Sequence, residues 1–228
     1  MDKETSLRIK IAETATKRYL ENPRFTIQSL ADELEMKASK IFDLFPNRSS
    51  ILRFYYTSRM IRFREETASL EDYTSFTLSE KLSALHLSLT DQFQDHREFV
   101  LETSGCGKRS IFKSSGFEKE YKEELKQIFE NDPNIPATAQ PFLNRFFYHT
   151  VYTQFTGLIS FWKRDESRHN ENTMALIDKW SALTEELFYS RIAEKGLDLA
   201  KFLFYQSPFA ECMNSSSSST QQGAAVHE

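Results

Sequence analysis

Along this chain, stretches with apolar residues every three or four positions alternate with short polar breaks, a helical rhythm throughout. Leu7, Ile11, Ala15 and Tyr19 form one stripe and predict a helix over residues 6–21, closed by Asn22 and Pro23. Thr26 is a good N-cap for a second helix over 27–34, whose inward face is Ile27, Leu30, Ala31 and Leu34. Glu35, Met36 and Lys37 form a turn. A third short helix follows over 38–44, with Ile41, Phe42 and Phe45 directed inward. Pro46 and Asn47 break it, and Ser49 caps a fourth helix carrying Leu52, Tyr55, Tyr56, Met60 and Phe63 and reaching about Leu70.

The same rhythm predicts helices over 79–95, 97–104, 117–131, 138–163, 171–195 and 197–205. Residues 104–116 and 132–136 read as loops. The connection over 164–170 is short, so the helices on either side should lie antiparallel. The serine-rich run from Asn214 onward has little apolar area to bury and predicts a disordered tail. With 20 Phe against 6 Gly and 6 Pro, the composition favours helices over a sandwich or barrel. The expected fold class is all-α: an N-terminal three-helix unit over 1–50, a larger helical unit over 51–210, and a tail over 211–228.

Charge divides the chain in the same place. Residues 1–64 carry 13 Lys and Arg against 8 Asp and Glu, whereas residues 65–228 carry 16 against 25. A basic head beside an acidic body is expected if the head alone meets phosphate. The second and third helices read as a helix-turn-helix, which needs a small inward residue (Ala31) and short polar or basic residues outward on the second helix. Lys37, Ala38, Ser39, Lys40 and Asp43 stand there. Lys donates to guanine, Ser donates or accepts, and Ala meets a thymine methyl. Lys40 and Arg48 are candidate phosphate clamps, supplying affinity more than specificity.

Residues 6–60 resemble the TetR family of bacterial repressors. Thr26, Ile27, Leu30 and Ala31 match the start of that family's pattern. Ile41, Phe42 and Phe45 match its recognition helix, and Arg48 and Ile51 match its close, all without a gap. The resemblance implies phosphate contacts from the Thr26 region and Arg48, and base contacts from Lys37 to Lys40. Three features depart from the pattern. Glu35 replaces the usual turn glycine, Phe42 stands where a phosphate-bonding Tyr is usual, and the loop after the first helix is short.

Fifteen of the Phe residues lie beyond residue 65. They have two readings: a packed core, or a pocket for an apolar or aromatic ligand between the fourth helix and those that follow. The candidate lining is Tyr56, Met60, Phe63, Leu85, His86, Leu89, Phe93, Phe146, His149 and Tyr152, with the two histidines as polar handles. The 138–163 helix carries a small-residue ridge, Thr153, Thr156, Gly157 and Ser160, and the 171–195 helix carries Leu176, Trp180, Leu183 and Leu187. The two suit a dimer seam. TetR-like proteins dimerise through their last two long helices, which implies a homodimer on a pseudo-palindromic double-stranded operator.

Nothing in the chain spells an enzyme: there is no nucleophile elbow, HExxH, CxxC or dinucleotide fingerprint. Neither His86 nor His149 has metal-ligand spacing, so no metal or cofactor is expected. Cys106 sits beside Lys108 and Arg109, a context that can lower a thiol pKa, although an ordinary loop cysteine is the simpler reading. Two cysteines, no secretory leader and no bilayer-length apolar run predict a cytoplasmic protein without membrane partners. The expected activity is a repressor released by a small apolar or aromatic effector. The alternative is a lipid- or small-molecule-binding protein on the same scaffold that has abandoned DNA.

Overall fold

The computed structural model describes residues 2–105 and 110–189, and among these the regular structure is helical throughout. Helices α1 (Lys3–Glu21), α2 (Ile27–Glu33), α3 (Ala38–Leu44) and α4 (Arg48–Ala68) form the head and its link to the body. The body is α5 (Leu78–Gln94), α6 (Arg97–Thr103), α7 (Phe117–Glu130), α8 (Arg145–Trp162) and α9 (Glu171–Tyr189). The predicted 197–205 helix, the tail, and Cys106 with its basic neighbours lie outside the described residues.

Local chemistry sets most boundaries. Thr26 caps α2 by accepting from Ser29 N while Ser29 Oγ accepts from Thr26 N, a reciprocal capping box. Helix α4 starts earlier than expected: Asn47, not Ser49, caps it, and Ser50 returns the bond. Thr77 and Glu80 do the same for α5.

The predicted helix over 138–163 is two elements. A 3-10 turn spans Ala137–Phe142 and contains Pro141, and α8 starts afresh at Arg145. The Asn144 side chain accepts from the backbone N–H groups of Phe146 and Phe147, ending one element and starting the next.

Helix α4 is the axis of the molecule. It packs on α1 along one side and on α5 and α7 along the others. Arg59, fully buried, and Arg62 both reach Glu13 of α1, at 2.7 and 2.6 Å. Arg64 reaches Glu120 at 2.8 Å and Glu124 at 2.7 Å on α7. Three cations of the basic N-terminal segment are thus spent on internal clamps. One continuous cluster of buried apolar side chains runs from Ile11 of α1 to Trp162 of α8, so head and body share a core. Helix α9 packs chiefly on α5, leaving its contact with α8 looser.

Candidate functional site

The α2–α3 turn shows how the head is shaped. Glu35 adopts a left-handed backbone, with φ of 51°. Its N–H donates to Asp32 O at 3.2 Å, and the Met36 N–H donates to Ala31 O at 2.9 Å. These two bonds are the Schellman arrangement that closes a helix through one left-handed residue, the position glycine occupies at least cost. The turn therefore keeps its form without glycine, at the cost of a strained non-glycine residue and with a carboxylate on the exposed side.

Beyond the turn, Lys37, Ser39, Lys40 and Asp43 are exposed and Ala38 is half-buried. Ile41 and Phe45 are buried, but Phe42 is 54 % exposed, so its predicted inward packing is corrected: it stands on the outer face of α3. A seven-residue helix has room for one buried stripe, and Ile41 with Phe45 fills it. Arg48 is half-buried. Its Nη1 donates to Phe25 O at 3.1 Å and its guanidinium lies 5.5 Å from the Phe25 ring centre, so part of its donor capacity already holds the loop before α2 against α4. The Thr26 hydroxyl oxygen caps α2 while the residue stays exposed.

The body departs from the expected pocket. Tyr56, Met60, Phe63, Leu85, Leu89 and Phe93 are essentially inaccessible. Rings fill the space between α4 and its neighbours: Tyr56 meets Phe93, Phe99 and Phe112 with centroids 5.9, 5.9 and 4.9 Å away. These six residues are core. The Tyr56 hydroxyl is satisfied by Thr103 Oγ1 at 2.6 Å, and burial raises its pKa well above the usual phenol value.

Phe146 and His149 lie outside that buried set. Phe146 is 79 % exposed, on the side of α8 away from the core. His149 is exposed, lies 3.2 Å from both Glu118 Oε1 and Lys122 Nζ, and lines a groove of roughly 570 Å³ together with Tyr152, Phe112 and Ile159. The inward face of α8 is instead Tyr148, Val151, Tyr152, Phe155, Ile159 and Trp162.

An apolar cleft of roughly 330 Å³ lies elsewhere, between α8 and α9 with α5 as its floor. Its lining includes His86, Phe155, Leu158, Phe161, Ile177 and Trp180. His86 from the expected pocket thus meets Gly157, Leu176 and Trp180 from the expected seam. His86 is buried, lies 2.7 Å from the Tyr121 hydroxyl, and stacks on Phe155 at 5.7 Å. Burial pushes its pKa down from 6.5 to about 4, so the ring is neutral near pH 7.

The outer faces of α8 and α9 carry the remaining predicted positions. Thr153, Gly157 and Ser160 are exposed and Thr156 half-buried. The hydroxyls of this ridge donate to carbonyls one turn back on their own helix: Thr153 to His149, Thr156 to Thr153, and Ser160 to Thr156. A ridge satisfied in this way can be covered without stranding a donor. On α9, Leu183 and Leu187 are 49 % and 47 % exposed, in line with the half-buried Leu176 and Trp180. Phe146 and Phe161 add exposed apolar area on α8.

A short three-helix head is thus joined by one clamped helix to a larger, clefted helical body. Residues 81–203 match the family described as tetracyclin repressor-like, C-terminal domain, and the chain belongs to the TetR family of regulators. No curated protein matches the chain significantly. Among the described residues, no helix is long and apolar enough to cross a membrane.

Proposed function

We propose that this chain is a cytoplasmic, non-enzymatic repressor that binds a pseudo-palindromic operator as a homodimer and leaves it when a small apolar or aromatic molecule enters the body. The observation that carries this reading is the intact α2–turn–α3 unit, with Ser39, Lys40 and Phe42 exposed on one short helix and Lys37 exposed at its N-cap. Residues 1–50 serve as the DNA-reading unit and 51–210 as the sensing and pairing unit. Lys37, Ala38 and Ser39 meet base edges, Lys40 and the Thr26 region meet phosphate, and Arg48 contributes with whatever donors its bond to Phe25 leaves. Phe42 offers an apolar face to a sugar or a thymine methyl.

Dimerisation runs through α8 and α9. An apolar face in which Phe146, Phe161, Leu183 and Leu187 all stand open is costly unless a second copy covers it. Two copies then present two α3 helices to successive major grooves. Release follows from the position of α4. The recognition helix is joined to α4 by only Phe45, Pro46 and Asn47, so a tilt of α4 displaces α3. The ring contacts from Phe155 to Phe117 and from Phe112 to Tyr56 run from the cleft wall to α4. An effector need prefer the non-binding arrangement by only a few kcal/mol to empty the operator.

The second reading, a ligand-binding protein without DNA, rests on the exposed Glu35 and Asp43 carboxylates beside the two lysines. Binding to a random DNA pool at about 50 mM and at about 200 mM salt separates the two. Affinity that falls steeply with salt and favours one inverted repeat supports the regulator; no binding even at low salt supports the alternative.

A further inference from the structure

Lysine is rarely buried unless it is paired, because taking an ammonium out of water is costly. Lys81 of α5 departs from that rule. It is only 9 % exposed, and its ammonium has no hydrogen-bond or ion-pair partner among the described residues. The nitrogen nevertheless keeps contact with solvent. Lys81 also stands within the first four residues of α5, at the end where the helix dipole disfavours a cation. Burial, position and lack of a partner all act against this charge.

Lys81 lines a pocket of roughly 280 Å³ between the 3-10 turn Tyr73–Ser75, α5 and α7. Tyr73 and the buried Ile128 supply apolar wall, and Thr74, Gln127 and Asn131 are its exposed members. Asn131 Nδ2 donates to Gln127 Oε1 at 3.1 Å, which leaves the Gln127 amide nitrogen as a further donor. Glu124 also lines the pocket, but its Oε2 accepts from Arg64 Nε of α4 at 2.7 Å, so that carboxylate is already answered. What remains is one unanswered positive charge beside an aromatic wall.

We propose that this pocket, separate from the cleft between α5, α8 and α9, binds a small aromatic monocarboxylate, with its carboxylate on the Lys81 ammonium and its ring against Tyr73 and Ile128. One unpaired cation calls for one negative charge, and Glu124 repels a second. Lys81 is the specificity-determining residue, because a charge-assisted bond to its ammonium separates an acid from a neutral molecule of the same shape. The consequence, though not the geometry, rests on the regulator reading. Glu124 forms one wall and also clamps Arg64, so a bound acid lies next to the joint between α7 and α4 and biases the helix that carries the head.

The test titrates two probes of nearly equal shape, benzoate and benzamide, into the full-length protein in a buffer free of other carboxylates. Benzoate should bind about tenfold more tightly, the gain of one charge-assisted bond. Lys81→Met keeps the stem and removes the charge, so the preference should vanish while the melting temperature stays level or rises. Lys81→Arg keeps the cation and should keep the preference. Thr74→Trp adds bulk at an exposed position of the pocket and should weaken both probes.

Equal binding of the two probes, binding of neither, or a preference that survives Lys81→Met each overturns the assignment. So does a Lys81→Met protein that melts lower or fails to fold, because the ammonium then has a partner within the fold. Binding untouched by Thr74→Trp places the probe elsewhere and overturns it as well. Operator occupancy that responds to benzoate in the unmodified protein and not in Lys81→Met is the expected consequence. Benzoate bound without such a response leaves the site standing and overturns its coupling to α4. A protein that binds no operator sinks the regulator reading and leaves the site to the titration.

Discussion

The head and the body use aromatic side chains in opposite ways. In the head, Phe25 and Phe45 plug a small core while Phe42 stands out on α3, so most of the outer face of that helix is polar and one ring is presented. In the body, Phe93, Phe99, Phe117, Phe129 and Phe155 are all sealed, ring against ring, and the buried His86 stacks on Phe155. Reading DNA needs side chains placed outward at fixed spacing. Sensing a small apolar molecule needs an apolar wall that is already assembled. Between the two regions runs α4, clamped to Glu13 on one side and to Glu120 and Glu124 on the other.

Substitutions can break this contrast at several strengths. Phe117→Ala removes a sealed ring that contacts Phe93, Phe112, Tyr121 and Phe155, and should cost roughly 3–5 kcal/mol in denaturant unfolding. Phe42→Ala should shift stability by no more than about 0.5 kcal/mol while weakening operator binding. Equal losses for the two would erase the distinction drawn here. Leu183→Glu puts a charge on the open face of α9 and should yield monomers by light scattering with the fold intact; a surviving dimer moves the seam elsewhere.

The buried histidine gives the body a pH signature. Its folded pKa, about 4, lies below the ordinary 6.5, so between these values the unfolded chain takes up a proton that the folded chain does not. Stability should therefore fall as pH drops from about 6.5 to about 4, by up to about 3 kcal/mol from this group. The His86→Phe with Tyr121→Phe pair should flatten that slope, and an unchanged slope would assign it to other groups. On the head, Lys40→Ala should lower the salt slope of operator binding by about 1 and weaken binding for all sequences alike. The smallest effect is at the turn: Glu35→Gly should relieve about 1 kcal/mol of left-handed strain and tighten DNA binding by removing a carboxylate. A loss of stability there would mean that the Glu35 side chain has a role the exposed turn does not reveal.

Those differences also explain which parts could be read from the sequence. The head was legible because its geometry rests on spacing: the N-cap at Thr26, the small Ala31 and the Pro46 break each have one structural meaning. The body was legible as helices but not as a site. Helix α8 carries aromatic or apolar residues nearly all round, so Phe146 and His149 read as well for an inward position as Tyr148, Val151, Phe155 and Ile159, which are in fact buried. The restart of the helix at Arg145 was signalled by Pro141 and the capping Asn144, yet the apolar run ran through both. Whether a Phe lines a cavity or fills it depends on neighbours remote in sequence, and periodicity carries no information about them. His86 was picked out as a polar handle in an apolar stripe; its partner Tyr121 and its place in the α8–α9 cleft required the fold.

The central claim is that a paired helix-turn-helix reads a defined site, and one measurement tests it most directly: selection of the purified full-length protein on a random-sequence DNA pool at about physiological salt, followed by sequencing. The account predicts enrichment of a single inverted repeat whose half-sites lie about one helical turn or a multiple of it apart, lost in Leu183→Glu. A well-folded dimer that enriches no sequence would contradict it.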